Sequence, residues 1–130
     1  MEWSDDYATG VQRIDDQHKR IFKTADDYRI AFDEGKGEAS YGVLLDFLER
    51  YCRSHFGFEE RCMEEHRCPV AQQNKEAHAA FLAVVREFLQ RYESSGYRPA
   101  DALELLDTVD QWLHDHICRI DIHLRDCVRK

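Results

Sequence analysis

His55 and Glu59 stand four residues apart in the stretch SHFGFEERCM, on what otherwise reads as the apolar side of a helix. Residues four apart project from the same side, so the pair faces either solvent or something in the core that needs polar ligands. The chain holds seven histidines, and two more of them, His78 and His116, also fall on apolar stripes. Burying a polar side chain without a partner costs stability, and burying an ionised carboxylate costs more. A single core histidine is satisfied by a hydrogen-bonded network, but several gathered with carboxylates need a stronger compensation. Imidazole and carboxylate brought together from facing helices are the ligand set of iron, manganese and zinc, and bundle cores are where paired iron sites are built.

The segments that must position these residues are helical in pattern. Apolar residues recur at spacings of three and four with no sustained alternation of period two, so no strand is needed. After an irregular arm to about Ile14, the spacing predicts a first helix from near Asp15 to Phe32, with Ile21, Ala25, Tyr28 and Phe32 on one stripe and Gly35 and Gly37 ending it. A second runs from about Ser40 to Glu65, with Leu44, Leu48, Tyr51, His55, Glu59 and Met63 near one face. Pro69 suits the opening turn of a third, which carries Asn74, His78, Phe81, Val85 and Phe88 until ESSGYRP stops it. Pro99 opens a fourth, with Leu106, Val109, Leu113, His116 and Ile120 facing inward. The fold expected is all-α: one domain over residues 1–130, an up-down-up-down left-handed four-helix bundle with an irregular N-terminal arm.

Charge and composition remove several function classes. A formal net charge of -8, with Lys and Arg scattered among carboxylates, lacks the basic stripe that nucleic acid requires. No run approaches the roughly 20 apolar residues that span a bilayer, and MEWSDDYATG is no signal peptide, so a cytoplasmic protein without a membrane partner is expected. With no exposed apolar run beyond the bundle stripes, a monomer is expected. The cysteines Cys52, Cys62, Cys68, Cys118 and Cys127 are odd in number and form no CxxC pair, so they read as free thiols. Cys52 and Cys118 read as small buried hydrophobes.

Five features carry a resemblance: the early Trp3, IDDQH ending at His18, HFGFEE with Met63 behind it, a proline leading to His78 and Phe81, and WLHDHICRID. Together they resemble the hemerythrins, in particular the single-domain bacterial form, over nearly the whole chain. The resemblance implies two iron ions cycling between Fe2+ and Fe3+ inside the bundle, bridged by a glutamate, an aspartate and an oxo or hydroxo oxygen, with O2 at one open position. Carried over by position, it makes His18 and His55 ligands of the iron that takes O2, Glu59 and Asp121 the bridges, and His78 and His116 ligands of the other iron. Ile21, Phe56, Trp112 and Leu113 would wall the O2 pocket, and each alone reads equally as ordinary core. His116 and Asp121 are five apart, about 140° around an ideal helix, so an irregularity is expected between them.

One position departs from the family pattern. The third helix should bring two histidines four apart, but Asn74 stands four before His78. Asn offers a metal only a carbonyl oxygen, or a hydrogen bond to water in the vacancy. His66, seven residues beyond Glu59, lies about 10 Å along the helix, and His114 points some 200° away from His116, so neither substitutes. His123 is likewise set aside. The resemblance implies reversible O2 binding for carriage, storage or delivery, with other small diatomic or anionic ligands as candidates. Alternatives are a sensor module for O2, redox state or nitric oxide, an oxidase-like or peroxidase-like di-iron enzyme, and a bundle that has lost its metal.

Overall fold

The computed structural model describes residues 3–119 and 121–128. Four long helices dominate: α1 over Gln12–Asp33, α2 over Gly37–Glu65, α3 over Ala71–Ser95 and α4 over Pro99–Arg119. A 3-10 turn at Asp121–His123 follows α4, leading into a short α5 at Leu124–Val128, and another 3-10 turn, Asp5–Tyr7, lies in the N-terminal arm. No strand occurs among the described residues. Each of α1 to α4 packs on its sequence neighbour, and α1 also packs on α4, which closes the four-helix bundle.

Spacing on each helix explains the packing. The buried residues of α3 are Asn74, His78, Phe81, Val85 and Phe88, a 4-3-4-3 rhythm that keeps one narrow seam on the bundle axis. The corresponding seam of α2 runs through Tyr41, Leu44, Leu45, Leu48, Cys52, His55, Phe56, Glu59 and Met63. Full burial of Leu45, Leu48, Leu105 and Leu113 contributes about 2 kcal/mol each. His55 and Glu59 are therefore held at the axis between Cys52 and Met63 on α2, and His78 next to Phe81 on α3.

Helix ends follow local chemistry. Gly35 takes a left-handed φ of 77° in the turn after α1, a conformation that suits a residue without Cβ. Gly37 opens α2 instead of ending α1, contrary to the expectation from its type. A Cβ there would lie 2.8 Å from the Tyr97 hydroxyl oxygen and 3.1 Å from that of Tyr28, so the glycine serves a close approach. The Tyr28 hydroxyl donates to the Gly37 carbonyl at 2.9 Å, fastening α1 to α2 at this end of the bundle. Rings of Tyr92 and Tyr97 pack on Tyr41 there, at centroid distances of 5.3 and 5.4 Å.

The opposite end is closed by both chain ends. Ile14, Met63, Cys68, Leu124 and Cys127 form a second apolar cluster. Arg125 donates to the Ala8 carbonyl, from Nε at 3.0 Å and Nη2 at 2.7 Å, and from Nη2 to the Asp6 carbonyl at 2.9 Å. The Asp15 carboxylate accepts from the Thr9 amide at 2.7 Å and the Thr9 hydroxyl at 2.9 Å, which ties the arm to the first turn of α1.

Two cysteines correct the reading of five free thiols. Cys68, between α2 and α3, is disulfide-bonded to Cys127 in α5, with Cα atoms 5.6 Å apart. The pairing joins positions 59 apart in sequence, which no local spacing rule registers. Cys52 and Cys62 are free, and Cys52 is buried as expected of a small hydrophobe. The Cys118 side chain and Ile120 lie outside the described residues.

Candidate metal centre

The bundle brings the six expected ligands together. His18 comes from α1, His55 and Glu59 from α2, His78 from α3, His116 from α4 and Asp121 from the turn after α4, and none is more than 2% exposed. Glu59 lies between two imidazole pairs. Its Oε2 is 3.0 Å from His18 Nε2 and 3.6 Å from His55 Nε2, while its Oε1 is 3.2 Å from His78 Nε2 and 3.8 Å from His116 Nε2. Asp121 repeats the division, with Oδ2 3.2 Å from His18 Nε2 and Oδ1 3.0 Å from His116 Nε2. Each carboxylate thus offers one oxygen to each pair. The irregularity expected between His116 and Asp121 is the end of α4 at Arg119 and the 3-10 turn that begins at Asp121.

The outer nitrogens fix how these rings face. His55 Nδ1 is 2.6 Å from Gln17 Oε1, and His78 Nδ1 is 2.9 Å from Glu60 Oε2. An acceptor at Nδ1 places the proton there and leaves the Nε2 lone pair pointing inward, the state a metal ligand needs. Sequence reasoning did not find Gln17 and Glu60. Their one signal is adjacency, since each is the chain neighbour of a ligand.

Electrostatics at the cluster call for positive charge. Burial pulls the His18 imidazolium down, but contacts with Asp121 and Glu59 outweigh it and raise the pKa to about 10. For His116 burial again lowers, and Asp121 followed by Glu59 brings the value up to about 9. His55 is pushed down to about 3 by burial, which the charge of Glu59 offsets only in part. Burial raises the Glu59 carboxyl, yet contacts with His116, His18 and His78 hold it well below the usual carboxylate range. In effect, protons on His18 and His116 neutralise two buried carboxylates, and a metal cation would take their place.

A metal fits the donor set. Glu59 Oε1 and both oxygens of Asp121 are buried with no hydrogen-bond donor. Imidazole nitrogens lie within 3.0 to 3.8 Å of them but out of line for a hydrogen bond. The inner nitrogens of His78 and His116 approach each other to 2.9 Å, so these donors crowd a space that a shared cation would fill. Two groups meet the spacing for a cation, Glu59 with His78, His116 and Asp121, and His18 with His55 and Glu59. Asn74 shares the buried seam with His78, is fully buried, and neither its Oδ1 nor its Nδ2 has a partner.

Comparison with known proteins gives this arrangement its family. The hemerythrin HHE cation binding domain matches residues 9–125. The chain belongs to the hemerythrin family. It is 35% identical to a bacteriohemerythrin of Pseudomonas aeruginosa over 129 residues, covering 99% of this chain and 82% of that protein. A bacteriohemerythrin of Stenotrophomonas maltophilia is 34% identical over 90% of this chain and 74% of its own length. The myohemerythrin of Sipunculus nudus is 29% identical, with 92% of this chain and 86% of that one aligned. Hemerythrins hold a di-iron centre that binds oxygen, and the buried His, Glu and Asp set here fits that centre.

The residues expected to wall a hemerythrin oxygen pocket lie close to the cluster in the chain. Ile21 and Leu113 are buried, each three residues from a ligand histidine. Phe56 stacks on His78 with centroids 3.8 Å apart, and Trp112 stacks on His116 at 4.4 Å. Phe56 also faces His55, with centroids 5.8 Å apart, so its ring lies against a histidine of each pair. His66, His114 and His123 are exposed, and His66 Nδ1 lies 2.9 Å from the Cys62 carbonyl of its own helix end. Among the described residues, no helix is long and apolar enough to cross a membrane.

Proposed function

We propose that residues 1–130 form one hemerythrin-like domain that holds two irons on His18, His55, Glu59, His78, His116 and Asp121 and binds O2 for carriage, storage or delivery, as a cytoplasmic monomer. The observation that carries this reading is the division of both buried carboxylates, one oxygen of each facing His18 and one of each facing the His78 and His116 pair. Carboxylates so placed could each hold a metal ion on either oxygen. When bound, a pair of irons would supply the reversible redox chemistry that O2 binding needs.

The protein's own part is positioning and exclusion of water. Gln17 and Glu60 hold the rings of His55 and His78 by their outer nitrogens, with the inner nitrogens turned toward Glu59. Phe56 and Trp112 cover the flat faces of His78 and His116, and a dry lining slows proton entry. The formal net charge of -8 disfavours nucleic acid as a partner, and O2 or another small diatomic or anionic ligand suits a buried metal site of this size.

Asn74 supports a second reading, turnover of O2 or peroxide, because it puts a carboxamide where the family pattern has an imidazole. Iron per chain, followed by exposure of the anaerobic ferrous protein to O2, separates the two. Two irons and a charge-transfer spectrum that disappears when O2 is removed support carriage. Prompt bleaching with consumption of peroxide supports turnover, and a chain that takes up no iron refutes both.

A further inference from the structure

We propose that the His78 and His116 side of the site keeps an exchangeable position that takes a small monoanion, with Asn74 as its hydrogen-bonding partner. The proposal rests on the di-iron reading above. Asn74 and His78 are consecutive buried positions on one seam of α3, about 6 Å apart along the axis at the usual helical rise. A buried carboxamide without partners destabilises the fold, and an apolar residue would fill the seam without that penalty. Here Oδ1 and Nδ2 are both unpaired and Asn74 is fully buried.

The neighbouring imidazoles leave the position open. His78 is tied through Nδ1 to Glu60 and covered by Phe56, so its ring is not free to turn into the space. His116 is held under Trp112. This side then offers a metal two imidazoles and one oxygen from each of Glu59 and Asp121, a set that leaves coordination positions for an outside ligand. A monoanion bound there by one end needs a donor at the other, and the buried, unpaired Asn74 amide one seam position from His78 can supply it. Histidine at this position would occupy the coordination site itself and exclude the anion.

Azide titrated into the diferric protein, with iron per chain measured on the same sample, tests this. The expected result is two irons and two azides per chain. Asn74→His should reduce azide to one per chain, and Asn74→Leu should keep both irons while weakening the second azide at least about tenfold. Two irons with one azide, or titrations that neither substitution alters, would overturn the proposal and leave the di-iron reading standing. Fewer than two irons would overturn both. In the metal-free protein Asn74→Leu should be neutral or stabilising, and a clear loss of thermal stability there would show that the carboxamide is paired elsewhere.

Discussion

Glu59 puts one oxygen toward His18 and His55 and the other toward His78 and His116, so its removal should loosen both metal positions at once. Glu59→Ala is expected to lose most of the bound iron, as read by metal analysis after desalting, and two irons retained would refute its bridging role. Glu60 acts one step further out, through His78 Nδ1 at 2.9 Å. Replacing it by Gln removes the charge on that hydrogen bond and should weaken metal retention roughly tenfold, within the range for such outer partners. Unchanged metal affinity with unchanged helicity would leave Glu60 as an ordinary half-exposed acid. The six candidate ligands that the fold gathers could be picked out of the sequence because each falls at a position that matches the family motifs, and four of them, His55, Glu59, His78 and His116, also lie on stripes where a polar residue is out of place. Gln17 and Glu60 lie beside those stripes, where polar residues are normal, and only the crossing of α1 and α3 over α2 shows what they touch.

The four long helices were equally readable, since a period of three and four over many turns has no other interpretation. Their ends were less so. Gly37 reads as a helix stop by type but opens α2, because the approach of Tyr28 and Tyr97 decides the matter and is invisible locally. The segment after α4 was legible only as a conflict, His116 and Asp121 both needed at the axis from five residues apart. A broken helix resolves it, and α5 then carries the disulfide that the cysteine count concealed. Cys127 is six residues past Asp121, so this bond also restrains the segment that delivers the carboxylate. Closing a loop of this length should stabilise the protein by up to about 4 kcal/mol. Guanidinium unfolding with and without reductant checks it: the midpoint should fall on reduction, and coincident curves would mean the cross-link contributes nothing.

For the molecule as a whole, the site sets how stability responds to pH. In the metal-free protein His18 and His116 titrate near 10 and 9, above the ordinary 6.5. Their contribution is present below about pH 6.5 and is lost as pH rises through those values. His55, lowered to about 3, works in the other sense, since the unfolded chain gains a proton below 6.5 that the folded chain refuses. Glu59, also lowered, stabilises above its ordinary 4.5, and that contribution is lost as pH falls through its folded value. The metal-free melting temperature should therefore peak near pH 6.5 and fall on both sides. Iron requires neutral imidazoles, so the loaded protein should lose the alkaline decline and release metal more readily as the solution is acidified. A metal-free melting temperature that stays flat between pH 7 and 10 would count against the charge balance described for the cluster.

The tyrosines around Tyr41 and the ligands around Glu59 occupy opposite ends of α2, 18 residues and about 27 Å apart at the helical rise. One end is completed by rings and the Tyr28 hydrogen bond to the Gly37 carbonyl. The other sets buried imidazoles and carboxylates, which a cation would balance, beside the small apolar cluster and the Cys68–Cys127 bond. Backbone amide exchange should then be uneven along every helix when iron is withdrawn. Amides near Leu44 and Phe88 would stay slow, while those from His55 onward in α2 and around His78 and His116 would quicken. Mass spectrometry of exchanged peptides would reveal a bundle that opens from one end, with the tyrosine end kept as a folded remnant from which the metal end can reform.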